Sequence, residues 1–119
     1  MMNFAPFFLF LNTLKSLHWV TSSYAHHKVL DDAYSEFSDK IDEFVESCIG
    51  ANNIKKFNSK FDFYFNMPED EEDLTFMFDR AFDEFATSIN KYANTSALES
   101  LVDDFNNIAN KFSYLLKMK

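Results

Sequence analysis

His18, His26 and His27 are the three histidines of a chain of 119 residues, and all fall within one short stretch. Asp31, Asp42 and Glu46 follow at helical spacing. Imidazole nitrogens with carboxylate oxygens form the donor set of a borderline divalent metal such as Fe, Mn or Zn, rather than the all-oxygen set of calcium. At ~100° of turn per residue, His27, Asp31, Asp42 and Glu46 lie within an arc of roughly 100° and make one polar stripe. Residues four apart share a helix face, so His27 with Asp31 and Asp42 with Glu46 are two half-sites. They do not make one site, because a rise of ~1.5 Å per residue holds the two pairs about 16 Å apart along the axis.

A two-fold axis joins what one helix separates. If two copies pack antiparallel about a point near Glu36 and Phe37, His27 meets the partner subunit's Glu46 and Asp31 meets the partner subunit's Asp42. A C2 dimer then carries two equivalent sites. His18, across a short hairpin, can add another nitrogen, and His26 is an alternative to His27 as ligand. The plainer reading of the same residues is a solvated acidic helix face with polar residues near its cap.

Four amphipathic segments must position these groups. The first is expected over about 5–19, with Pro6 at its start and Phe7, Phe8, Leu11, Leu14 and His18 along one face. The second runs over about 23–48, with Thr21, Ser22 or Ser23 as cap, Gly50 as stop, and an inner stripe from Leu30 through Tyr34, Phe37, Ile41 and Phe44 to Cys48. "NMPEDEED" opens a third over about 69–92, its carboxylates facing the positive end of the macrodipole. "NTSALES" opens a fourth over about 96–116, where Ser96 and Glu99 have capping-box spacing. Short connections make hairpins of the first pair and the last pair. The stretch 50–68 between them is long enough to run the length of a bundle; within it "KFDFYF" is open to an extended or a short helical form. The expectation is one all-α domain, residues 1–119, with the ferritin-like arrangement of two antiparallel hairpins joined by a long crossover.

Composition narrows the function. A formal net charge of -8 opposes binding to nucleic acid, whose phosphates need Lys or Arg to displace counterions. One cysteine, Cys48, excludes an intrachain disulfide and points to a reducing compartment. The apolar start "MMNFAPFFLF" lacks a basic leader region and is too short to span a membrane. Its apolar residues occupy more faces than one bundle buries. We expect a soluble, intracellular protein without nucleic-acid or membrane partners. With one Gly, the chain has no Gly-rich phosphate loop. "PEDEEDL" lacks the glycine and alternating oxygens of a calcium loop.

The stretch "LHW" followed by "HHKVLDDAYSEFSDKIDEFVE" resembles the Dps-type mini-ferritins. Within that group it is similar to short phage-encoded ferritin-like proteins. The resemblance is carried by residues 14–50 and, more weakly, by "NIANKFSYLLKMK" in the fourth segment. It implies an iron-oxidising site between subunits, with His18, His27 and Asp31 from one and Asp42 and Glu46 from the other. It further implies Fe as the metal, with Mn or Zn as alternatives, a homo-oligomer, and the cytoplasm of a bacterial host or the virion as location. The lysine-rich DNA-binding tail of some mini-ferritins has no counterpart. Two other classes fit the same residues: a metal-free helical bundle that docks to itself, to a viral protein or to a host protein, and a bundle holding Zn or Mn for structure alone.

Overall fold

Three of the four helices start on a side-chain cap. Ser23 accepts a hydrogen bond from the His26 N–H (3.2 Å), Asp70 from Asp73 (2.7 Å), and Thr95 from Leu98 (3.2 Å). They open α2 (Tyr24–Asn52), α3 (Glu71–Ile89) and α4 (Ser96–Lys117). The first helix, α1 (Ala5–Val20), has no side-chain cap and carries Pro6 in its first turn, where the missing N–H costs nothing. The computed structural model describes residues 2–118.

Hydrogen bonds at the two ends fix the connectivity. At one end His26, near the start of α2, reaches both Glu71 at the start of α3 and Leu116 near the end of α4. Thr21, just beyond α1, reaches the same Glu71. At the other end Asn52, closing α2, accepts from Asn94 in the α3–α4 connection. Helices α2 and α3 therefore run in the same direction, and α1 and α4 run against them. Helix α1 packs on α2 and α3, and α4 packs on the same two, which closes the four-helix bundle. Between the hairpins, residues 53–70 can reach ~59 Å at ~3.3 Å per residue, enough to travel the 45 Å long axis. The all-α bundle with a long crossover is the arrangement expected from the sequence.

The core is a column of rings. Phe10 stacks on Phe85 (centroids 4.6 Å), Phe85 meets Phe105 edge-on (5.2 Å), and Phe10 meets Phe37 edge-on (4.9 Å). Aromatic pairs of this kind add ~0.5–1.5 kcal/mol each beyond the area they bury. Cys48 is fully buried among them, and burial pushes its thiol up to about 11, so it behaves as a small apolar residue.

Several local expectations need correction. Gly50 does not stop α2: the helix runs on to Asn52, and Asn53 takes the left-handed conformation (φ 49°, ψ 47°) that ends it. Asn tolerates that region because its short polar side chain costs little there. Pro68 lies ahead of α3, whose cap is Asp70, and α4 is capped by Thr95 rather than Ser96. On α1 the buried seam is Phe7, Phe10, Leu14 and Leu17, so Phe8 turns outward, 46 % exposed, and stacks on Phe61 of the crossover (5.9 Å). Tyr34 sits at the edge of the core beneath the Lys15 ammonium, with Ala33 inside. The segment containing "KFDFYF" is non-helical. Ahead of it, β2 (Phe57–Asn58) pairs in parallel with β1 (Met2–Asn3). Phe4 is buried, and the Asn3 carbonyl accepts from the Tyr92 hydroxyl (2.9 Å), so most of the apolar N-terminal segment is used within the chain.

Candidate metal half-sites on α2

The turn between α1 and α2 brings His18 and His27 face to face. Their rings stack with centroids 3.8 Å apart and planes 24° from parallel. Each Nδ1–H donates to the other residue's backbone carbonyl, at 2.9 Å from His18 and 3.0 Å from His27. The carbonyls can only accept, so each Nδ1 must carry the hydrogen. In a neutral ring that leaves the lone pair on Nε2, and neither Nε2 has a hydrogen-bond partner among the described residues. A carbonyl on one nitrogen of a histidine is the arrangement that fixes its tautomer and aims the other nitrogen at a metal. The shortness of the hairpin thus sets His18 against His27.

His26, one residue away, is used differently. Its Nδ1 donates to Glu71 Oε1 at 2.8 Å and its Nε2 to the Leu116 carbonyl at 2.8 Å. Both nitrogens face acceptors, and a ring bearing hydrogen on both satisfies them together. Its side chain is 13 % exposed. With no nitrogen left over, His26 drops out as the alternative to His27.

Glu71 was not legible as a functional partner, because in "PEDEEDL" it is one carboxylate of a helix-start run. In the fold it gathers the Thr21 hydroxyl, the Ser22 N–H (3.3 Å), the Ser22 hydroxyl (3.3 Å) and His26. Burial pushes its carboxyl up, but the bonds from Thr21, His26 and Ser22 and the charge of His26 outweigh that. The net displacement is below the ordinary glutamate value. These residues tie the α1–α2 turn to the first turns of α2 and α3 and the last turn of α4, and so hold the frame on which His18 and His27 stand.

Asp31 is exposed one turn beyond His27, and Asp42 and Glu46 are exposed further along the same face. None of the three makes an ion pair among the described residues. The chain does not bring Asp42 and Glu46 to the histidines: His27 and Asp42 stand ~22 Å apart along the axis. Among the described residues no three His, Cys, Asp or Glu side chains converge as a metal site. At the height of Glu36 and Phe37, the proposed centre of two-fold pairing, Phe37 is buried and Glu36 is held by Lys111 (2.7 Å). Ser35 and Ser38 share the outward face there.

The profile of DUF5856, a family of unknown function, matches residues 18–116. The chain belongs to that family. The DUF5856 chain is also similar to a protein of Enterobacteria phage T4, described as an uncharacterized 14.6 kDa protein in the mobD-ri intergenic region. The two are 33 % identical over 104 residues, which cover 87 % of this chain and 77 % of the phage protein. No solved structure matches the chain. The phage resemblance expected from the sequence is thereby shown at the level of this relative, and neither match is described as a ferritin or a mini-ferritin. No helix among the described residues is long and apolar enough to cross a membrane.

Proposed function

We propose that this DUF5856 protein binds Fe(II) as a substrate at sites shared by two subunits and oxidises it. The observation that carries the reading is the reciprocal clamp of His18 and His27, which leaves Nε2 of both rings without a hydrogen-bond partner among the described residues, with Asp31 one helix turn beyond His27. Asp42 and Glu46, without an ion pair among the described residues of the same chain, supply the complementary carboxylates from a second subunit. Carboxylates stabilise the higher charge of the ferric product, and imidazole keeps Fe(II) bound before oxidation. With peroxide as oxidant, two Fe(II) each lose one electron, the O–O bond breaks, and two protons complete two waters. Dioxygen is the alternative oxidant. Sequestration of the ferric product requires a closed shell of subunits.

The test is anaerobic Fe(II) titration followed by native mass spectrometry, then oxidation kinetics after adding peroxide. Even-numbered assemblies that take up iron and turn it over, with loss of both in Asp42→Ala/Glu46→Ala, support the proposal. Oxidation at the wild-type rate in that variant overturns it. Uptake of Zn or Mn without turnover would assign the half-sites a structural role.

A second reading is favoured by a different observation. Trp19 (71 %), Tyr24 (78 %), Phe76 (56 %) and Tyr114 (66 %) are exposed on helix turns at the end of the bundle that holds His26. Under this reading the protein is a docking module for a viral or host protein, in the virion or the host cytoplasm. Loss of partner capture in Trp19→Ala/Tyr24→Ala with iron chemistry intact would separate the two.

A further inference from the structure

We infer that the two ends of the bundle are complementary docking surfaces: the basic end of one copy seats on the acidic end of the next, and the chain associates head to tail. The contact does not depend on iron. A second copy takes the place that a viral or host protein would otherwise fill at the aromatic end.

Exposed apolar residues gather at the ends. Among the described residues, every large apolar side chain that is exposed lies at a bundle end or on the crossover. Trp19, Tyr24, Phe76, Tyr114 and Met118 stand around the end that holds the α1–α2 turn. Phe8, Phe57 and Phe61 stand around the end that holds β1 and β2. The flanks carry none: neither α2 beyond Tyr24, nor α3 beyond Phe76, nor α4 before Tyr114. Apolar surface collected in two places marks contact sites, as scattered single residues do not.

The ends also differ in sign. Around the start of α3 stand Glu69, Asp70, Glu72 and Asp73, none of them in an ion pair among the described residues. Glu71 does not count with them, because its carboxylate is spent on His26, Thr21 and Ser22. Of the lysines described at this end, Lys28 has no ion pair and Lys117 is already held by Asp79 (2.7 Å). The opposite end carries Lys55, Lys56 and Lys60 in the crossover and Lys91 in the α3–α4 connection, all without an ion pair among the described residues. No carboxylate occurs from Ser47 to Phe61, and Glu99 in the first turn of α4 is the opposing charge there.

Opposite signs at opposite ends select the pairing. Acidic on acidic, or basic on basic, sets like charges together. Basic on acidic brings unlike charges and both aromatic groups into one contact. A face that meets a different face is heterologous, and it repeats along the long axis or closes a ring. The two shorter dimensions, 28 and 19 Å, limit the contact to about 500 Å² per copy, roughly 1,000 Å² in total and below the range of stable pairs. Each joint is therefore weak, and association rises with concentration and falls with salt.

The test is a charge swap in the full chain. Lys55→Glu/Lys56→Glu leaves both ends acidic, and Glu69→Lys/Glu72→Lys leaves both ends basic; all four positions are exposed and none caps a helix. In sedimentation at ~50 mM salt the wild type should form a concentration-dependent series of oligomers, at least tenfold weaker at ~0.5 M salt. Each variant alone should lose that series, and an equimolar mixture of the two should recover it. A wild type that is monomeric at low salt, or a closed dimer that both variants leave intact, overturns the contact. So does a mixture that stays dissociated while each variant keeps the wild-type helix content by circular dichroism. If a variant loses helix content, thiol cross-linking decides instead, since Cys48 is fully buried and leaves introduced thiols as the reactive ones. Phe57→Cys mixed with Tyr24→Cys should cross-link faster than either does with itself, and equal rates overturn the contact.

Discussion

His26 and His27 are consecutive residues on one helix turn, ~100° apart around the axis, and that rotation separates two kinds of site. His26 points inward between α3 and α4 and spends both nitrogens on Glu71 and the Leu116 carbonyl. His27 points along the outer edge toward α1 and spends one nitrogen on the His18 carbonyl, leaving the other without a partner among the described residues. The difference teaches how to tell a histidine with a nitrogen still open from a framework histidine. Burial alone does not decide it. What decides is how many ring nitrogens the protein itself has already satisfied.

The contrast breaks most visibly in metal affinity. On the proposed reading, His27→Ala should weaken Mn(II) or Fe(II) binding roughly a hundredfold or more, since it would remove a ligand where even an outer partner is worth 10–100-fold. Isothermal titration reads this directly, and equal loss in His26→Ala with the fold intact would erase the distinction. Next in size is stability. His26→Ala removes two hydrogen bonds, one to a carboxylate, and leaves the Leu116 carbonyl without its partner, a loss of about 2–3 kcal/mol in chemical unfolding. His27→Ala, at the surface, should cost under about 1 kcal/mol in the same measurement.

A smaller effect sharpens the framework side through pH. The Glu71 carboxyl is displaced downward in the folded chain, so its contribution to stability is fully present above the ordinary glutamate value. That contribution is lost as pH falls through the lower folded value. Unfolding midpoints measured from pH 6 down to pH 3 should therefore fall more steeply in the wild type than in Glu71→Gln. Parallel curves would show that Glu71 does not anchor His26. The smallest expected change is in Asp42→Ala/Glu46→Ala without metal: no loss of unfolding midpoint, and a slight gain where acidic neighbours repel one another. A clear loss would mean that these carboxylates serve the fold.

Part of this could be read without coordinates. Helix periodicity, caps and connection lengths point to a crossover four-helix bundle because they are local properties, set by the spacing of apolar residues along each segment. The inner stripe of α2 from Leu30 to Cys48 follows in the same way, with Ala33 taking the place assigned to Tyr34. The shared face of His27, Asp31, Asp42 and Glu46 is likewise a property of one helix. The end of α2 was less legible, because glycine permits a left-handed turn without requiring one, and here Asn53 supplies it.

Other relations existed only once the helices had met. Nothing in "AHHK" says which histidine faces inward, since that depends on the rotation of α2 about its axis, which packing against α1 and α4 sets. Glu71 lies 45 residues from His26 and is one of several carboxylates in its run. Its selection required α3 to start beside the start of α2. The sequence alone thus determined the segments, their inner faces and the donor types available for a metal. The tertiary structure alone decided which nitrogens were already taken, because a hydrogen bond between helices depends on where both ends stand.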